Sequence, residues 1–301
     1  MAQQLRFGII TLQKEPWPTM VERWQRIEAL GFDHVWLADH FLNPYNPPQF
    51  WLEAWTLLAG LAAQTSRIRI GTLVTPIGLR NPAVLARQAL TVDHISNGRL
   101  ELGLGTGVAD DTSYSMIGLP EWGPAERVGH FREAVEIIDL MLSNETTNYQ
   151  GKYYQINGAV MRPAPIQQPR PPFTLAALGP TMLKIAARYA DRWNTYIEAG
   201  GTPEEAIVTV RERNQRLDDA CALVGRDPAS IMRSLLAYGT TAGNPFLSTD
   251  AFQDFVGTYR EAGMSDFIFY YPVEVSYKGA DSEVFERVAQ EIIPALRGRD
   301  E

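Results

Sequence analysis

Apolar positions along the chain keep switching between two periods. Short runs rich in β-branched and aromatic residues are followed by longer stretches with apolar residues near helical spacing. Residues 5–12 read as a strand. Residues 19–30 read as a helix, with Met20, Val21, Trp24, Ile27 and Leu30 toward one face and Gly31 ending it. The pairing recurs as strand 34–38 with helix 51–65, strand 68–75 with helix 82–96, and strand 100–106 with helix 126–142. Pro82 suits a first helical turn, and Gly98 lies just past a helix end. Strands 173–178, 192–197, 231–240 and 266–272 then alternate with helices 181–190, 203–224, 249–262 and 283–296, with Thr249 expected as an N-cap. Eight strands, each followed by a helix, predict an α/β fold of the closed (β/α)8 TIM barrel type. An open doubly wound sheet with a cap is the weaker alternative.

The rhythm pauses once. Residues 143–172 hold seven prolines and glycines. Within them "TNYQGKYYQINGAV" reads as a hairpin turning at Gln150-Gly151. The proline-rich stretch Met161 to Pro172 reads as a covering loop. The segment is too short for its own core. It is therefore an insertion, 143–172, between the fourth helix and the fifth strand of one domain spanning 1–301.

Composition narrows the function classes. Of 301 residues, 45% are hydrophobic and 21% charged, a globular balance. The net charge is −8, and no basic stripe marks a nucleic-acid partner. Cys221 stands alone, which excludes an internal disulfide framework and a Cys-rich metal site; it is expected to pack as a small apolar residue. His34, His40, His94 and His130 lack paired metal-ligand spacing, so no metal is expected. No G-x-S-x-G elbow or Walker A loop is present. No apolar run approaches the roughly 20 residues of a membrane span, and the first residues carry no signal-like core. The expectation is a soluble, cytoplasmic protein acting on a small molecule, with neither nucleic acid nor membrane as partner.

In a barrel, chemistry gathers on the loops after the C-terminal strand ends. Asp39 and His40 fall there, after the second strand. An imidazole in that position can exchange protons near neutral pH; taken alone, the dipeptide more often caps backbone and fills a polar corner. After the third strand, Arg80-Asn81-Pro82 mainly starts a helix. The fourth strand ends in Gly103-Leu104-Gly105-Thr106-Gly107. That spacing fails as a dinucleotide turn, yet small residues admit a flat ligand. Asp110-Asp111 reads as a solvated carboxylate pair. After the fifth strand, Ala176-Ala177-Leu178-Gly179-Pro180-Thr181 makes a tight turn into a helix. Its free N–H groups suit a phosphate, with Lys184 adding charge.

Taken in order, "GFDHVWLADHF", "FWLEAWTLLAGLAAQTSRIRIGTLVTP", "LRNPAVLARQALTVDHISNGRLELGLGTG", "GKYYQINGA" and "PRPPFTLAALGPTMLKIAARYADRWN" resemble the bacterial luciferase-like family of flavin and deazaflavin oxidoreductases. The likeness is greatest to the branch that uses coenzyme F420. The resemblance implies hydride transfer between that deazaflavin and an organic substrate, with the ring over the C-terminal mouth of the barrel. It implies a non-prolyl cis peptide at Leu73-Val74 behind the ring. It places Asp39 and His40 against cofactor or substrate, Thr106 and Gly107 at the fourth-strand contacts, and Ala176, Ala177, Leu178 and Gly179, with Thr181, around the ribityl-phosphate. It also implies a homodimer. The sugar-phosphate dehydrogenases of this branch carry a Trp in the loop that is here Leu42 to Tyr45. They carry an acid where this chain has Val108, and a lysine where it has Glu198, Ala199 and Gly200. A glucose-6-phosphate type substrate is therefore not expected. His40 remains as the proton-transfer group, with Asp39 fixing its tautomer or contacting the ring. Phe41, Tyr45, Phe50 and Trp51 would form an aromatic lid. The alternative is a monooxygenase using reduced FMN and oxygen; a non-catalytic binding subunit on the same fold is a third reading.

Overall fold

Strands covered on both faces tend to be apolar; most of the eight runs singled out by sequence are, while the run over 192–197 buries Arg192, Asn194 and Thr195. The computed structural model describes residues 4–44, 46–108, 111–197, 201–237, 244–272 and 281–298. Its elements in chain order are β1 (Arg6–Thr11), α1 (Trp17–Ala29), β2 (His34–Leu37), α2 (Ala54–Gln64), β3 (Arg69–Thr72), β4 (Thr75–Pro76), α3 (Pro82–Ile95), β5 (Leu100–Gly105), α4 (Thr112–Met116) and α5 (Pro124–Ser143). There follow β6 (Thr146–Gln150), β7 (Gln155–Val160), β8 (Phe173–Ala176), α6 (Pro180–Tyr189), β9 (Arg192–Tyr196), α7 (Pro203–Val224), β10 (Met232–Ala237), α8 (Thr249–Glu261), β11 (Asp266–Tyr270), α9 (Ser282–Arg287) and α10 (Ile293–Arg297). The main sheet runs β3-β2-β1-β11-β10-β9-β8-β5-β4, and a further β3–β5 pairing closes it. With β3 and β4 as one interrupted strand, this is the expected (β/α)8 barrel.

Backbone contacts divide the chain into two compact units. The first comprises the described residues of 1–11, 24–36 and 177–301. Here β1 pairs in parallel with β11, and β10 with both β11 and β9. Phe7, Phe246, Phe252, Phe267 and Phe269 fill its core, with ring centroids 5.2 Å apart for Phe252–Phe269 and 5.9 Å for Phe7–Phe252. Thr202 and Glu205 form a capping box at the start of α7, and Gly225 ends that helix in the left-handed conformation. Cys221 is buried in α7 as expected. The N-cap of α8 is Ser248, not Thr249. Ser248 has the extended backbone and its hydroxyl accepts from Ala251 N–H at 3.1 Å, while Thr249 is already helical. The helix expected over 283–296 is interrupted by a π-helical turn at Val288–Ile292. Pro294 supplies no N–H and crowds the carbonyl four residues back, so the ladder widens before it.

A buried polar group sits at the strand starts of this unit. His34 and Asp266 are both fully enclosed, with Nε2 donating to the carboxylate at 2.7 Å. Trp36 Nε1–H occupies the His34 Nδ1 lone pair at 2.6 Å, which fixes the neutral tautomer protonated on Nε2. Arg192 approaches Asp266 at 3.3 Å. Burial, the largest influence, pushes the His34 pKa below its usual value despite the neighbouring carboxylate. For Asp266, burial opposes ionisation, but Arg192 and His34 outweigh it and hold the carboxyl well below the usual range. Gly8 makes room for the imidazole, since a Cβ there would lie 1.8 Å from His34 Nδ1.

The second unit comprises residues 12–23 and 37–176. Here β5 pairs in parallel with β3, β4 and β8. Arg99 is buried and donates from Nε to Ser96 O, from Nη1 to Thr65 Oγ1 and Ile68 O, and from Nη2 to Ala62 O and Thr65 O. All five of its donors are used, several on the open C-terminus of α2. The hairpin of the insertion is present as β6–β7, with Gln150 opposite Gln155. Its turn is fastened to α5. The buried carboxylate of Glu133 accepts from Lys152, Tyr153 and Tyr154 N–H at 2.9 to 3.1 Å. The proline-rich stretch packs beside α3 and the starts of β3 and β5. Buried Asp93 accepts from Ile166 N–H at 2.8 Å and from Gln167, whose amide also reaches Leu100 O at 2.7 Å. It therefore covers the strand starts of this unit, away from the loops after the strands.

Candidate active site

The interruption between β3 and β4 shapes the floor of the second unit's loop region. Leu73-Val74 is joined by a cis peptide bond. Leu73 N–H donates to Leu37 O at 2.8 Å. Thr72 and Thr75 share a hydroxyl bond at 2.8 Å, and Trp55 Nε1–H donates to Thr75 Oγ1 at 3.0 Å. The glycines of β5 serve this bulge. A Cβ at Gly103 would lie 1.8 Å from the Thr72 carbonyl oxygen, and one at Gly105 would lie 2.4 Å from Val74 Cγ2. Gly107 has φ +83° and a side chain there would strike the Tyr114 hydroxyl. The small residues read as clearance for a flat ligand are thus first of all clearance for the protein's own backbone and side chains.

Asp39 and His40 follow β2, as expected, but each has a different partner from the one sequence suggested. Asp39 is buried, and both its oxygens are engaged by Arg80. Nη1 donates to Oδ2, and Nη2 to Oδ1 at 3.3 Å. Arg80 Nη2 also donates to Glu53 Oε1 at 3.1 Å. Glu53 caps α2 by accepting from Thr56 and Trp55 N–H; burial opposes its charge, yet these hydrogen bonds and Arg80 outweigh it and lower its pKa. Arg80-Asn81-Pro82 does start α3, with Asn81 as its cap, but Arg80 also clamps Asp39. Asp39 therefore does not fix the tautomer of His40.

That role falls to Asp111, which the sequence placed on a solvated loop. It is buried, caps the short helix α4, and lies 3.3 Å from His40 Nδ1. Its Oδ1 accepts from Ser113 N–H at 2.9 Å and Oγ at 2.6 Å. The His40 hydrogen bond is the main cause that holds the Asp111 pKa down at about 2. A carboxylate can only accept, so His40 Nδ1 carries the proton and Nε2 is the variable site. Among the described residues no side chain bonds to Nε2, and the His40 side chain is 22% exposed. Trp51 Nε1–H pins the His40 carbonyl at 3.0 Å. Phe41 and Phe50 are exposed beside it. Tyr45, Asp110, Glu198, Ala199 and Gly200 lie outside the described residues.

A cavity of about 330 Å³ is lined by Asp111 of this pair, with Thr106, Tyr114, Trp122 and Arg127 among others; His40 is not part of its wall. Burial pushes the Tyr114 phenol up to about 12, with Asp111 adding and Arg127 opposing. Periodicity did not separate α4 from loop, because five residues carry too little helical period.

The turn Ala176-Ala177-Leu178-Gly179-Pro180-Thr181 runs from the second unit's β8 into the first unit's α6. Gly179 caps α6 with no side-chain hydrogen bond, and a Cβ there would meet nothing within 4 Å. The first N–H groups of that helix are thus open to an oxyanion. Thr181 and Lys184 are exposed beside it, and Ala177 O is held by Trp193 Nε1–H at 2.7 Å. No cluster of three or more metal-ligating side chains occurs among the described residues, nor is any described helix long and apolar enough to cross a membrane.

Residues 4–256 match the sequence model of one family, described as luciferase-like monooxygenase. The chain is 37% identical over 179 residues to an F420-dependent glucose-6-phosphate dehydrogenase of Amycolatopsis mediterranei, covering 57% of this chain and 51% of that protein. It thus matches about half the length of that relative. It is 30% identical over 237 residues to the pyrimidine monooxygenase RutA of a Bradyrhizobium strain, covering 76% and 63%. Among solved structures, an F420-dependent secondary alcohol dehydrogenase in complex with an F420-acetone adduct superposes with TM-score 0.81 at 19% identity, covering 98% of this chain and 99% of that one. At that identity the likeness is one of fold.

Proposed function

Because the chain belongs to the luciferase-like monooxygenase family, we propose that it is an F420-dependent oxidoreductase moving a hydride between the deazaflavin and an organic substrate. The observation that carries this reading is His40, held at Nδ1 by Asp111 with Nε2 left without a side-chain partner among the described residues, while Asp111 also lines a cavity. When bound, the deazaflavin supplies a two-electron hydride carrier. Leu73, Val74, Thr106, Gly107, Asp39 and His40, all in the second unit, would contact its ring; the turn of Ala176, Ala177, Leu178, Gly179 and Thr181 is by itself suited to a phosphate. The uncapped N-terminus of α6 fits an oxyanion.

His40 gives or takes the proton that accompanies the hydride. Asp111 keeps Nδ1 protonated, so Nε2 accepts from an alcohol in one direction and, as imidazolium, protonates an oxygen or nitrogen in the other. Asp39 is locked in place by Arg80, which occupies both of its oxygens. His40→Ala should lower turnover by about 10²- to 10⁴-fold, with a far smaller change in F420 affinity read by fluorescence titration. Unaltered turnover would remove the role.

The second reading is an FMN-dependent monooxygenase, supported by the likeness to RutA. Titration of the purified protein with F420 and with FMN, together with oxygen uptake on reduced FMN, separates the two. Tight FMN binding with no response to F420 would sink the deazaflavin reading.

A further inference from the structure

Two hydrogen-bond donors on the cavity wall are left open. Arg127, in the first turns of α5, donates one long hydrogen bond, 3.4 Å, to Trp122 O. Among the described residues it pairs with no carboxylate. Three other covered arginines, Arg80, Arg170 and Arg233, each meet an acid. The Tyr114 hydroxyl likewise has no hydrogen-bond partner among the described residues. With its pKa near 12 it keeps its proton at neutral pH and can donate.

The acids on the wall are differently placed. Asp111 already turns one oxygen to the two donors of Ser113 and the other to His40. Glu121 is exposed, where water screens it. Trp122 adds a flat wall, its ring stacked on His130 at 3.7 Å between centroids.

We propose that this cavity seats the carboxylate of a small, flat, largely apolar substrate, with Arg127 as the pairing cation and Tyr114 as the second donor. A guanidinium fork matches the two oxygens of a carboxylate. A phosphate dianion would meet a single cation together with Asp111 and Glu121, which disfavours it. The volume lies near the lower end of small-molecule sites, about 300 to 1,000 Å³. The proposal deepens the oxidoreductase reading by naming its substrate class, yet the seat itself can be tested without cofactor.

Benzoate and its neutral isostere benzamide serve as probes, with dissociation constants read by ligand-observed NMR on the protein alone. Benzoate should bind at least tenfold more tightly than benzamide. Arg127→Gln should abolish that preference, Arg127→Lys should keep part of it, and Tyr114→Phe should weaken benzoate several-fold. F420 affinity should stay unchanged in all three, and thermal unfolding confirms that each variant is folded. Equal binding of the two probes, no detectable benzoate binding, or an undiminished preference in Arg127→Gln would overturn the proposal. So would a loss of F420 affinity in Arg127→Gln with benzoate unaffected, which would assign Arg127 to the cofactor. Failure of the wild-type protein to bind F420 would instead sink the deazaflavin reading and leave the probe result standing.

Discussion

His34 and His40 lie six residues apart in sequence, and each meets an aspartate, yet the two pairs do opposite things. His34 is fully enclosed with Asp266, and Trp36 takes its second nitrogen. Neither nitrogen is left for a ligand, so the ring is a structural part. His40 keeps only Nδ1 engaged, on Asp111, and its side chain remains partly open. The same two side-chain types therefore yield a seal at a strand start and a proton-transfer candidate past a strand end. What separates them is whether the second ring nitrogen finds a protein partner.

Removing the enclosed carboxylate should break the comparison most strongly. Asp266→Asn removes the buried carboxylate that His34 and Arg192 both approach and should cost about 3 to 5 kcal/mol, read as a lowered midpoint in denaturant unfolding. A loss under about 1 kcal/mol would mean that the group is not the seal described. Asp111→Asn should act on turnover instead. Hydrogen bonds to charged groups are worth about 1.5 to 3 kcal/mol, so turnover should drop roughly 10- to 100-fold with little change in unfolding. A change in F420 affinity without one in turnover would remove Asp111 as the positioning residue of His40.

The smallest effect is one of pH. The folded His34 pKa lies below its unfolded value near 6.5, so the native state binds fewer protons than the unfolded one. Its contribution is complete above about pH 6.5 and is lost as pH falls toward the folded value. Asp266 acts in the same direction at lower pH, since its carboxyl is also depressed. Stability should decline between pH 7 and 5 by at most about 1.4 kcal/mol per pH unit from His34. His34→Gln, which cannot titrate, should flatten that slope; an unchanged slope would show that His34 is not its source.

Much of the fold was legible because local rules and the global pattern agreed. Pro82 opens α3, and Gly31 and Gly98 lie just past the ends of α1 and α3, as the sequence led one to expect. The site was less legible because its decisive pairs span distance in sequence. Asp39 meets Arg80 across 41 positions, and His40 meets Asp111 across 71. No periodicity encodes such a meeting, and a carboxylate on a loop is read by default as solvated. The cis Leu73-Val74 bond followed from resemblance alone. The one usable hint was Asp111-Thr112-Ser113, an acid followed two positions later by a hydroxyl, which is the start of a cap.

Glu133 has a practical consequence for anyone re-engineering this scaffold. Three successive amides of the hairpin tip converge on a carboxylate that belongs to the host helix. The β6–β7 ribbon is therefore not a self-contained cassette. Grafted elsewhere, it would arrive without its clasp, and the recipient helix would have to supply an acid at the matching height.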